Sequence, residues 1–229
     1  MQEVLPPSVA AVENYVSELL GQDESGHDMG HIRRVLRLSL KFADAEQANR
    51  ELVALIALLH DVDDYKLFGK EHAEQLTNAK RIMQACNIDE ETQEQVEQAI
   101  HEIGYSKRLE GKVPVTTAGK IVSDADMCDG LGASGIIRTH SFGIEHGRPF
   151  FDRNILPLQH PDAAAYHDLS RGSSVCHFFE KVLKLKDLML TDAGRKEAEK
   201  RHQLTVDFLR HLFEEEDAED WLEYLRDYQ

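Results

Sequence analysis

Four positions of the 229-residue chain have the types and placement to hold a divalent cation: His31, the adjacent pair His60 and Asp61, and Asp126, against which spacing alone leaves Asp124 as the alternative. His60 and Asp61 end an unbroken apolar run, Leu52 to Leu59, within ELVALIALLHDVDDYK. An apolar segment with no polar side is predicted to be a fully buried helix, so this imidazole and carboxylate emerge from the core. An unpaired charge delivered there costs on the order of several kcal/mol, and a bound metal ion offsets that cost. His31 lies four residues before Val35 in HIRRVLRLSLKFA, where Ile32, Val35, Leu36 and Phe42 mark the inward side. It therefore projects with the core residues. Three acids crowded into the otherwise apolar AGKIVSDADMCDGLGASGIIR repel one another unless something positive sits among them. Two neutral imidazoles and two carboxylates suit Mn, Fe, Co, Ni or Zn better than Ca or Mg, which prefer oxygen shells. Four protein ligands leave an octahedral ion open to water and substrate, the arrangement of a catalytic site.

The elements carrying these residues are predicted to be helical throughout. Val9, Val12, Val16, Leu19 and Leu20 follow helical spacing after Pro6-Pro7, and the polar turn DESGHDMGH, which holds His27, leads into the helix of His31. The apolar run forms a third helix over 52–60, stopped by Asp63 and Asp64. Leu76, Ala79, Ile82, Met83 and Cys86 mark one helix from Glu71 to Cys86, and Asp89 caps the next, through Ile103. GYSKRLEGKVPVT, 104–116, has no period and reads as a loop. From 139 to 173 Pro, Gly, His and Arg dissolve the pattern, which marks a long loop of the functional kind. Helices return over 174–229, with Phe178 and Phe179, then Ala198, Leu204, Phe208, Leu209 and Phe213, and finally Trp221, Leu222 and Leu225 on their apolar sides. No period-two strand signal, repeat or long linker is present, so an all-α, single-domain chain is expected.

Composition bounds the partners. Lys plus Arg number 26 against 42 Asp plus Glu, a formal net charge of -16, which repels phosphate backbones and anionic membranes. Neither nucleic acid nor membrane is an expected partner. Cys86, Cys128 and Cys176 lack CxxC spacing and read as reduced core thiols. No stretch reaches the roughly 18 apolar residues of a membrane span, and MQEVLPPSVAAVENYV is unlike a signal peptide, so a cytoplasmic location is expected.

Together, HDMGHIRRV at 27–35, LLHDVDDYKLFG at 58–69 and SDADMCDGLGASGIIRT at 123–139 resemble the HD-domain metal-dependent phosphohydrolases, whose signature is H…HD…D. The likeness continues through HGRPFFD and HFFEKVLKLKDLMLTDAGRKEAEKR. It is nearest to the bacterial subgroup of nucleotide pyrophosphatases, which convert a (d)NTP to a monophosphate and pyrophosphate. The resemblance implies an HD helical bundle with a metal-site core at about 27–139 and additional C-terminal helices. It implies His31, His60, Asp61 and Asp126 as the ligands, Asp126 by its Ala-Asp-x-x frame, with Asp124 orienting a ligand from behind. Manganese is the first metal expected, with Ni, Co, Fe, Zn and Mg as alternatives. Asp64 stands where related enzymes carry an acidic general acid or base, and Asp63 is the substitute. Substrate phosphates need cations, and Lys66, Lys107, Arg138 and Arg148, with His146 beside the last, are the candidates. Where the subgroup usually has DADRLD this chain has Met127 and Cys128, which bears on substrate choice rather than on metal binding.

Three activities fit this pattern. The first is cleavage of a (d)NTP by metal-activated water. The second is a 5'-nucleotidase or cyclic-nucleotide phosphodiesterase, and the third a non-catalytic metal or nucleotide sensor. A nucleotide is the expected small-molecule partner, and a second copy of the chain is a candidate partner.

Overall fold

A computed structural model describes residues 6–21, 28–158 and 172–229, apart from the Lys66 side chain; His27 and the stretch 159–171 lie outside the described residues. Among these residues every regular element is a helix and none is a strand, as the all-α reading expects. None of these helices is long and apolar enough to cross a membrane. The chain divides into two compact units, Met1–Asp126 and Met127–Gln229.

The first unit is built around α3, Arg50–Leu59. Asn49 caps it by accepting from the Glu51 and Leu52 N–H groups, and every residue from Val53 to Leu59 is buried. Such a helix needs apolar neighbours on all sides. It finds them in α1 (Pro7–Leu20), α2 (Met29–Glu46) and α7 (Glu90–Glu102). Helix α1 starts with proline at its first position and buries Val9, Val12, Val16 and Leu20. Helix α7 is capped by Asp89, which accepts from the Thr92 N–H at 3.0 Å.

Between α3 and α7 lie α4 (Tyr65–Phe68), α5 (Lys70–Gln75) and α6 (Thr77–Ala85). The single helix expected over 71–86 is broken at Leu76, whose φ of 51° lies in the left-handed region. The 104–116 connection is not all loop, since it contains one short helix, α8 (Tyr105–Leu109). Helix α9, Thr117–Asp129, brings in the acidic cluster.

In the second unit the expected loop begins later than position 139, because α10 runs from Gly132 to Glu145. Its buried residues are Gly132, Gly135 and Gly143. A Cβ at Gly143 would come 2.1 Å from the Ser174 hydroxyl oxygen, and one at Gly135 would come 2.1 Å from the Gly130 carbonyl oxygen. Glycine is what lets this helix approach its neighbours, and its inward face therefore has no apolar period.

The C-terminal elements are α11 (Ser174–Glu180), a 3-10 helix (Val182–Leu188), α12 (Asp192–Glu215), α13 (Glu219–Leu225) and a last 3-10 turn (Arg226–Tyr228). Phe151, Phe179, Phe213 and Trp221 form an aromatic core with ring centroids 5.2–6.2 Å apart. Leu204, expected inward, is 46% exposed.

His202 on α12 is buried, and its Nε2 donates to the Tyr228 carbonyl at 2.7 Å, tying down the C-terminal turn. Burial pushes its pKa below the ordinary 6.5; Tyr228 O, Glu199 and Asp187 oppose the shift and Lys186 adds to it. The unfolded chain therefore binds the proton more readily than the folded one. Stability from this group is full above about pH 6.5 and is lost as pH falls below it. Thermal melts from pH 7.5 to 5.5 are expected to show falling stability, and His202→Gln is expected to flatten that dependence.

Candidate metal centre

Three helices deliver the candidate ligands. Asp28, one residue before α2, accepts from the His31 N–H at 2.8 Å, so the first acid of the HDxxH motif is a helix cap that fixes His31 in the first turn. His60 follows the last residue of α3, and Asp61 begins the turn beyond it. Asp126 comes from α9.

The candidate ligating atoms meet. His31 Nε2 is 3.3 Å from His60 Nε2, 3.3 Å from Asp61 Oδ2 and 3.5 Å from Asp126 Oδ1. His60 Nε2 is 3.5 Å from Asp61 Oδ2 and 3.9 Å from Asp126 Oδ1. His60 Nδ1 lies 2.9 Å from the Ala57 carbonyl oxygen, which only accepts, so in the neutral ring Nδ1 carries the hydrogen. The Nε2 lone pair then faces another imidazole nitrogen and two carboxylate oxygens. Two carboxylates and the His60 lone pair gathered at one point repel unless a cation sits among them, and the orienting bond on His60 Nδ1 is of the kind ligating histidines carry. The residues fit a divalent ion. His31 is buried, whereas the Asp61 and Asp126 side chains are 16% and 25% exposed, so the oxygen side of the cluster faces solvent.

The acidic cluster of α9 separates by partner. Asp126, not Asp124, groups with His31 and His60. Asp124 is fully buried, and its charge pulls the Arg108 guanidinium back up against the lowering effect of burial. Asp129, also fully buried, accepts from Arg138 Nη1 at 2.8 Å. Arg138 is thus engaged in a structural ion pair. Asp63 is engaged as well: its two oxygens accept from the Asn78 and Ala79 N–H groups at 2.8 and 2.9 Å, and Oδ1 lies 3.7 Å from His72 Nδ1.

Asp64 starts α4, its carbonyl accepting from the Leu67 and Phe68 N–H groups. Lys66 belongs to α4. Lys107 on α8 lies close enough to His101 to help lower that imidazole's pKa, behind the larger effect of burial. In the second unit, His146 is exposed just past α10, its Nδ1 donating to the Phe142 carbonyl at 2.8 Å, and the Arg148 N–H donates to the Gly143 carbonyl at 2.8 Å. Two contributors escaped the sequence reading, Arg108 beside Asp124 and the capping role of Asp63. Both depend on contacts across more than a dozen residues, which no local spacing reveals.

The HD-domain family profile, described as "HD domain", matches residues 29–131. The chain is 30% identical over 202 residues to the uncharacterised protein YpgQ of Bacillus subtilis, covering 88% of this chain and 90% of YpgQ. The crystal structure of YpgQ in complex with ADP superposes with a TM-score of 0.67 at 28% identity, covering 91% of this chain and 94% of that one. An HD-superfamily hydrolase from Bacillus thuringiensis matches at 33% identity and a TM-score of 0.70, covering 92% and 97%. A Lactobacillus plantarum protein matches at 30% identity and a TM-score of 0.81, covering 94% and 100%.

Proposed function

The chain belongs to the HD-domain family, and on that premise we propose that it is a metal-dependent phosphohydrolase that cleaves a (d)NTP to the (d)NMP and pyrophosphate. The observation that carries this reading is the convergence of His31 Nε2, His60 Nε2, Asp61 Oδ2 and Asp126 Oδ1, a set that manganese suits. When bound there, a divalent ion supplies the Lewis acidity that makes water a nucleophile near neutral pH and offsets charge on phosphoryl oxygens. The two buried imidazoles and the two partly exposed carboxylates would hold such an ion, the carboxylates on the side that faces solvent. Asp64, three residues past Asp61, takes up or returns the proton of the attacking water. Lys66 and Lys107 are the phosphate-binding candidates of the first unit. His146 and Arg148, in the HGRPFF stretch that follows α10, are the phosphate-binding candidates of the second unit. The choice of a nucleotide is supported by YpgQ, a relative crystallised with ADP.

A product panel tests the reading. With manganese, dATP is expected to yield dAMP and pyrophosphate in equal amounts. Inorganic phosphate released from dAMP, or opening of a cyclic nucleotide, would instead make it a different phosphohydrolase. Tight nucleotide binding with no turnover on any metal would make it a sensor.

A further inference from the structure

The histidine–aspartate pair sits where a helix is ordinarily weakest, at its C-terminal end, where the last carbonyls lack partners and the turn frays. Here the turn is clasped from outside. Asp63, 4% exposed, accepts from the Asn78 N–H at 2.8 Å and the Ala79 N–H at 2.9 Å, while Asn78 Nδ2 donates to the Val62 carbonyl at 2.9 Å. The contact is reciprocal. Helix α6 starts from Leu76, which offers no side-chain cap, so Asp63 satisfies the first-turn donors of a helix 15 residues away in sequence. Helix α6 is itself anchored, with Ala79, Ile82 and Met83 buried and contacts to α1 and α7. The intervening α5 has no buried residue, and its contribution to the turn is the approach of His72 Nδ1 to Asp63 Oδ1 at 3.7 Å, longer than the two bonds from α6.

We infer that Asp63 is a positioning residue of the metal centre, its clasp on α6 holding Asp61 and Asp64 on either side of it at the ligating and proton-transfer positions. The inference rests on the proposed metal-dependent activity. Its test is manganese affinity, measured by competition with a chelator, alongside the melting temperature of the metal-free protein.

Asp63→Ala is expected to weaken manganese binding by about 10- to 100-fold, the usual effect of losing a group that orients a ligand. Asp63→Asn, which keeps one acceptor oxygen, is expected to recover part of that loss. Asn78→Ala removes the bond to Val62 and leaves the Asp63 cap, so it is expected to weaken binding less, and it serves as the variant should Asp63→Ala not fold. Variants that melt earlier yet bind manganese as tightly as the wild type would show a merely structural clasp and overturn the inference. A wild-type chain that binds no manganese would overturn the proposed activity, and this inference with it.

Discussion

Replacing His60 or Asp61 with alanine is expected to abolish bound metal and turnover together, lowering kcat/KM on dATP by about a thousandfold or more. A catalytic metal contributes several kcal/mol of transition-state stabilisation, and each 1.4 kcal/mol or so is tenfold in rate. Loss of one ligand removes that contribution because the remaining donors surround the ion incompletely. Stability supplies a contrast that a merely misfolded variant would not show. Asp61 Oδ2 and Asp126 Oδ1 lie 3.3 and 3.5 Å from the same His31 Nε2, so a chelator leaves two carboxylates crowded at one point with no ion to offset their charge. Asp61→Ala thins that crowd, so the metal-free variant is expected to melt no lower than the metal-free wild type. Metal stoichiometry per chain, steady-state kinetics and a melt in chelator check the three parts. A variant that keeps its metal and its rate would remove the doublet from the site.

Asp64→Asn is expected to behave differently, keeping the metal and lowering kcat by about 10² to 10⁴, the usual contribution of general acid–base catalysis. The amide is close in size to the carboxylate, and the turn depends on the backbone of Asp64: its N–H donates to the Asp61 carbonyl at 3.1 Å and its carbonyl accepts from Leu67 and Phe68 at 3.0 Å. The substitution therefore removes the acid–base group while keeping these backbone bonds. Manganese affinity within about twofold of wild type alongside the lower kcat is the expected pair. An undiminished rate would remove Asp64 from the mechanism.

How much of this could be read in the sequence depended on whether the signal was local. The buried α3 was legible because Val53 to Leu59 have no polar residue among them, and such a run has nowhere to go but the core. His31 was legible through Ile32 and Val35, which fix the face it shares. The glycine face of α10 was not, since residues counted as helix breakers here serve close packing at Gly135 and Gly143. The break at Leu76 was also hidden, because leucine seldom adopts a positive φ, and the Asp63 cap on the helix that starts just beyond it comes from 15 residues away in sequence. The choice between Asp124 and Asp126 needed the fold as well. Both belong to one helix, and only their surroundings, Arg108 for one and two imidazoles for the other, separate them.

The most direct test is a crystal of this protein grown with manganese, with the ion located by its anomalous scattering. One ion is predicted at about 2.0–2.3 Å from His31 Nε2, His60 Nε2 and a carboxylate oxygen of each of Asp61 and Asp126. An ion bound elsewhere, an ion ligated by Asp124 in place of Asp126, or no ion at saturating manganese would contradict the account.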